Sequence, residues 1–163
     1  MRLSYVLAGG LVAGALDILY AWVFWALKAN VAAQRIFQSV AAGLLGDSSF
    51  EGGAATAALG LGLHFLIAVS MSVAYFLVAR RLPLLWRRPF AAGAAYGLLL
   101  YVIMNYVVVP LSAARPGSRD QLWIGLSIAV HALLIGIPIA LFTRWAILPS
   151  ARPADLARRA QPL

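Results

Sequence analysis

Residues 55–89 read ATAALGLGLHFLIAVSMSVAYFLVARRLPLLWRRP, and the reading of this stretch decides the fold. Residues 55–79 carry no charged side chain, and the chain then turns through Arg80, Arg81, Arg87 and Arg88, punctuated by Pro83 and Pro89. An α-helix rises 1.5 Å per residue, so crossing a hydrocarbon core of about 30 Å takes about 20 apolar residues. Residues 55–79 meet that length, and the arginines mark where the chain leaves the apolar layer. Three further runs meet it as well: 5–27, 90–111 and 122–147. The expected fold class is an all-α membrane protein with four transmembrane helices arranged as two hairpins. Composition agrees: 63% of the 163 residues are hydrophobic and 11% charged. A soluble domain carries about 25% charged residues, so too few are present here to cover a water-facing surface.

The other connections differ in character. A short polar stretch, Pro116 to Asp120, joins the third and fourth spans, whereas the first connection is long. Within it, residues 31–45 place Ile36, Phe37, Val40, Leu44 and Leu45 at helical spacing, with Gln34, Arg35, Gln38 and Ser39 elsewhere. This predicts a short amphipathic helix, lying at the membrane interface or capping the bundle. Gly46, Asp47 and Ser48 end it. Residues 150–163 read as a basic tail. The first span is expected to stay as a span rather than be cleaved as a leader, since it holds Asp17 and bulky aromatics and lacks a small-residue cleavage site.

Charge counting orients the bundle. Arg2, Arg80, Arg81, Arg87, Arg88, Arg144, Arg152, Arg158 and Arg159 fall on one side, against Lys28, Arg35, Arg115 and Arg119 on the other. The positive-inside rule makes the first side cytoplasmic, with both termini inside. Trp25, Trp86, Trp123 and Trp145, near helix ends, fit an interfacial belt. The net charge of +8 is thus explained by topology, and no interleaving of basic and aromatic residues points to nucleic acid. The chain has no cysteine, which excludes disulfides, thiolate nucleophiles, iron–sulfur clusters and cysteine-based zinc sites. It contains no GxSxG, Walker loop or HExxH, and the only neighbouring carboxylates, Asp47 and Glu51, lie in a loop. An enzyme is not expected.

The two halves look alike. Gly10 and Gly14 in the first span match Gly93 and Gly97 in the third, and His64 and His131 precede Pro83 and Pro149 by nearly the same interval. The GxxxG spacing lets helix backbones approach closely, within the chain or between chains.

Polar residues inside the spans are few, and each costs roughly 2.5–3.5 kcal/mol if ionised at the bilayer centre, so they face protein or water. At 1.5 Å per residue, Asp17 lies about 15 Å from either end of its helix and His64 and His131 roughly 13–15 Å from the outer surface, with Asn105 about 10 Å in. The four depths nearly coincide. Three readings follow: an interior hydrogen-bond network that fixes helix register, a polar cavity that binds a ligand or relays protons, or a bis-histidine haem or metal site between His64 and His131. Pro110 and Pro138 are positioned to kink the helices beside this level.

The run Gly62-Leu-His64-Phe, then Val78-Ala79-Arg80-Arg81, then Met104-Asn105-Tyr106 through Pro110-Leu111, and His131 followed by Gly136-Ile-Pro138 and Arg144, resembles the YagU-like group of bacterial inner-membrane proteins. The resemblance covers roughly residues 55–147, and the stretch from Arg35 to Gly46 looks like that of bacterial proteins with the same layout. It implies a bacterial inner-membrane location, about four spans and a shared pair of histidines, and it carries no activity. The function expected is a non-enzymatic accessory or self-associating membrane subunit, whose partners are the bilayer and another copy or a larger complex. The alternatives are a small transporter or channel built on the polar cluster, and a haem b protein. No cofactor is expected outside that last case.

Overall fold

The structure, a computed structural model, describes residues 2–148; the tail at 150–163, with Arg152, Arg158 and Arg159, lies outside the described residues. Six helices follow in order: α1 (Leu3–Ala29), α2 (Ala33–Leu45), α3 (Gly53–Ala79), α4 (Pro83–Arg87), α5 (Pro89–Leu111) and α6 (Gln121–Ile147). A 3₁₀ turn, Gly46–Phe50, joins α2 to α3. Four of these, α1, α3, α5 and α6, are long and apolar enough to cross a membrane. Their outer surface is apolar too: Leu66, Leu99 and Leu133 are all more than half exposed. A bundle bathed in water would not leave so large an apolar surface uncovered.

Local chemistry sets the helix ends. Asn30 takes a left-handed conformation (φ 51°) and its N–H bonds the Ala26 carbonyl, closing α1. Pro83 and Pro89 open α4 and α5, where a missing N–H costs nothing. Asp120 caps α6, its Oδ1 accepting the Trp123 N–H at 2.9 Å.

Glycines decide which helices touch. A Cβ on Gly10 would lie 2.6 Å from the Val69 Cα, and one on Gly14 3.0 Å from both Ala68 and Phe65, so α1 lies backbone-close against α3. A Cβ on Gly97 would lie 1.9 Å from the His131 carbonyl oxygen, and one on Gly93 2.7 Å from that of Gly136, so α5 lies equally close against α6. Both GxxxG faces therefore pack inside the chain. α1 also packs on α6, and the buried core joins Ala13, Tyr75, Leu100, Ile135 and Ile139. By contrast α3 and α5 do not pack along their lengths. They meet toward the α4 end, where the Tyr96 hydroxyl donates to the Met71 carbonyl at 2.8 Å and the Tyr75 and Tyr96 rings lie 4.8 Å apart.

α2 packs chiefly on α3. A Cβ on Gly60 would lie 1.9 Å from the Phe37 carbonyl oxygen, which puts the crossing about 10 Å along α3 from Gly53. The face it buries differs from the sequence expectation in three residues. Gln38, assigned to the polar side, is 3% exposed, while Leu44 and Leu45 point outward. The reason is local: its amide nitrogen donates to the Gly53 carbonyl (3.1 Å) and the Thr56 hydroxyl (3.3 Å), supplying hydrogen bonds where α3 begins. The far end of α2 reaches the chain just after α5, since the Ala113 N–H bonds the Gly43 carbonyl at 3.0 Å. α2 thus bridges α3 and α5 at one end of the bundle.

That end is pinned by two ion pairs. Arg115 grips Asp47 with two hydrogen bonds, from Nε (2.7 Å) and from an NH2 nitrogen (2.6 Å), and Lys28 pairs with Asp120. The opposite end carries Arg2, Arg80, Arg81, Arg87, Arg88 and Arg144, with no carboxylate among the described residues there.

Candidate functional site

Asp17 on α1, His64 on α3, Asn105 on α5 and His131 on α6 line a single cavity of about 240 Å³. One side chain from each long helix contributes, and Val40 of α2 contributes a fifth wall. The gap left between α3 and α5 is the space it occupies.

Hydrogen bonds engage one atom on each of three of these four side chains. The His64 Nε2 lies 2.8 Å from the carbonyl oxygen of Gly14. A carbonyl only accepts, so Nε2 carries a proton, and in the neutral form of the ring Nδ1 is the acceptor. The His131 Nδ1 lies 2.9 Å from the Ser127 carbonyl, one turn earlier, so there the Nδ1 donates, and in the neutral form of the ring Nε2 is the acceptor. Asn105 donates from Nδ2 to the Tyr101 carbonyl at 2.9 Å, which leaves its Oδ1 unengaged. Asp17 has no hydrogen-bond partner among the described residues and lines the same cavity as both imidazoles.

Asn105 and His131 also share a backbone feature. Met104–Val108 and His131–Gly136 are π-helical, each stretch ending two residues before a proline, Pro110 or Pro138. A proline ring pushes against the carbonyl four residues back and offers it no N–H. The backbone answers by widening over Tyr106 and Leu134, the residues that hold those carbonyls. Where the prolines suggested kinks the structure has widened turns, and Asn105 and His131 lie within them on the cavity wall.

Aromatic residues complete the site, and sequence reasoning did not assign them to it. Tyr20 stacks on Trp123 with centroids 5.1 Å apart and planes 6° from parallel, and its hydroxyl lies 3.2 Å from the Ser127 Oγ. The Tyr101 ring meets the His131 ring edge-on at 5.3 Å. Tyr20 follows Asp17 by three residues and Tyr101 precedes Asn105 by four, which is the helical signal that could have found them. Ile67, Met71, Met104 and Ile135 form the apolar remainder.

The remaining candidates lie elsewhere. Gly10, Gly14, Gly93 and Gly97 serve helix contacts, with Gly14 and Gly97 each touching the histidine-bearing turn of its partner helix. Arg80, Arg81, Arg87 and Arg88 flank α4 far from the cavity; Arg80 lies over the Phe76 ring and Arg87 over Trp86. Among the described residues no three His, Cys, Asp or Glu side chains are grouped closely enough to hold a metal ion. For a haem, His64 would have to offer Nδ1, because its Nε2 is engaged by Gly14.

No family model matches this chain, nor does any curated protein or solved structure.

Proposed function

We propose that this chain is a multi-pass protein of the bacterial inner membrane that takes a small ligand into its four-helix bundle, as a small transporter or binding protein does. The observation that carries this is the convergence of Asp17, His64, Asn105 and His131, from four different helices, on one cavity. A scaffold that needed only stability has no use for such a cavity, since unfilled space and unpaired polar groups both destabilise. Two hairpins, α1 with α3 and α5 with α6, carry the site between them, and α2 acts as its cap. The excess of arginine at the α4 end supports placing that end in the cytoplasm. Kinship with the YagU-like group belongs to the same proposal.

The accessory-subunit reading loses its main support, because the glycine faces that motivated self-association are occupied within the chain. The haem reading is less favoured by the engaged Nε2 of His64, and a Soret band in purified protein that vanishes on changing either histidine would restore it.

The absence of cysteine makes the test direct. Ala21 lines the cavity and Leu133 faces outward. In native membranes, methyl methanethiosulfonate is expected to modify Ala21→Cys at least tenfold faster than Leu133→Cys, because a thiol ionises only where water reaches it. Equal, slow modification of both would mean a dry, sealed interior, and the proposal would fail.

A further inference from the structure

We infer that the cavity is a site for a protonated amine with an apolar body, reached sideways from the bilayer through the gap between α3 and α5; this rests on the ligand-binding reading above.

The polar atoms left unengaged on the four converging side chains determine the head group. Asp17 offers a carboxylate without a partner, His64 offers Nδ1, His131 offers Nε2 and Asn105 offers Oδ1. With both imidazoles neutral and the carboxyl ionised, all four are acceptors. The complementary ligand is rich in donors, and the carboxylate asks for positive charge. An ammonium group supplies both, having three N–H donors and no acceptor. A bare metal ion is the poorer match, because Asp17 and the two histidines do not close into one coordination group. Tyr20 and Trp123, stacked on each other, also line the cavity. Beyond this polar side the wall is Ile67, Met71, Met104 and Ile135, which suits a hydrocarbon body.

The route follows from what is closed. At the ion-paired end, α2 bridges from Gly60 on α3 to Ala113 after α5, and Val40 faces the cavity. At the α4 end, the contact of Tyr96 with Met71 joins the two helices. Between these closures α3 and α5 do not pack, and Asn105 both lines the cavity and is exposed. An exposed amide at that depth in a hydrocarbon layer is costly unless it serves something that passes it.

The test uses the full chain carrying Ala21→Cys, in lipid nanodiscs, labelled with methyl methanethiosulfonate in the presence of dodecylamine, dodecanol or ethylamine. Dodecylamine is expected to slow labelling at least tenfold, dodecanol less than twofold, and ethylamine at the same concentration less than twofold. Adding Asp17→Asn is expected to reduce the protection by dodecylamine to that by dodecanol, each measured against that variant's own unliganded labelling rate. Equal protection by dodecanol and dodecylamine in the Asp17 chain overturns the amine head group, whether or not the Asn variant folds. Equal protection by ethylamine and dodecylamine overturns the route from the bilayer. Labelling that no amine affects overturns this inference and leaves the hydrated cavity standing, whereas a thiol that never reacts removes both.

Discussion

His64 on α3 donates from Nε2 to the carbonyl oxygen of Gly14 on α1, 2.8 Å away, at a place where a Cβ on Gly14 would already press on Phe65 and Ala68. The glycine permits the approach and its carbonyl then locks the imidazole. Because that carbonyl is also committed to its own helix, the bond is a supplementary one. Interhelical hydrogen bonds in membranes average about 0.6 kcal/mol. His64→Ala is therefore expected to lower stability by about 0.5–1.5 kcal/mol, since it removes packing as well as the bond. His64→Gln, which keeps a donor, is expected to lose less. Unfolding in mild detergent, followed by circular dichroism, gives both values, and a Gln variant as unstable as the Ala variant would show that the bond contributes nothing.

On the other pair of helices, Gly97 abuts the backbone of His131 and Ala132, which cannot move aside as a flexible side chain could. Gly97→Ala is expected to push α5 from α6 and cost about 1–3 kcal/mol by overpacking. Gly62 has nothing within 4 Å of the site a Cβ would fill. Gly62→Ala is thus expected to stabilise by roughly 0.5–1 kcal/mol through helix propensity alone. The two variants carry the same substitution, so their opposite signs in a single thermal-unfolding series report packing and not residue type.

How much of this was legible beforehand depends on the kind of signal. The four long helices were, because a run of about 20 apolar residues has few other physical uses. The starts of two of them were marked by Pro89 and by the polar stretch ending at Asp120, which act locally. The common level of Asp17, His64, Asn105 and His131 followed from the helical rise alone. What was not legible depended on partners in space. Trp123 reads equally as an interfacial anchor or a cavity wall, and only its stacking on Tyr20 decides. Gln38 looked like a surface residue because nothing in its own helix reveals that Gly53 and Thr56 need its amide. The π-helical turns at Met104–Val108 and His131–Gly136 lay hidden behind Pro110 and Pro138, since a proline announces a disturbance without saying whether the helix bends or widens.

The clamp at the α2 end should respond to acid. Arg115 hydrogen-bonds the Asp47 carboxylate and holds it below the usual carboxylate range. A depressed carboxyl contributes stability that is present above its unfolded value, near pH 4, and is lost as pH falls through the lower folded value. At Asp120 the sign is the same, from Lys28 first and the Trp123 N–H second. Proteolysis of the loops on that side is expected to quicken below about pH 4. Asp47→Asn should cleave faster at neutral pH and show a shallower acid dependence. Salt should mimic part of the effect, because the Asp47–Arg115 pair is exposed. A variant with the parent's acid profile would assign the dependence to Asp120 instead.

Asp17 provides the sharpest division between a structural and a functional interior. If its carboxylate fixed helix register, removing its charge would weaken the fold. It has no hydrogen-bond partner among the described residues, and an ionised group at that depth costs roughly 2.5–3.5 kcal/mol. Asp17→Asn is therefore expected to raise the stability of the unliganded protein, by about 1–2 kcal/mol once partial relief by cavity water is counted. Asp17→Leu is expected to gain as much again or more, having no polar atom left to satisfy. Thermal unfolding of the three proteins in one lipid or detergent measures the order directly. A drop in stability for both variants would return Asp17 to the role of a structural tie between helices, and a rise for both would mark it as a residue kept at the expense of the fold.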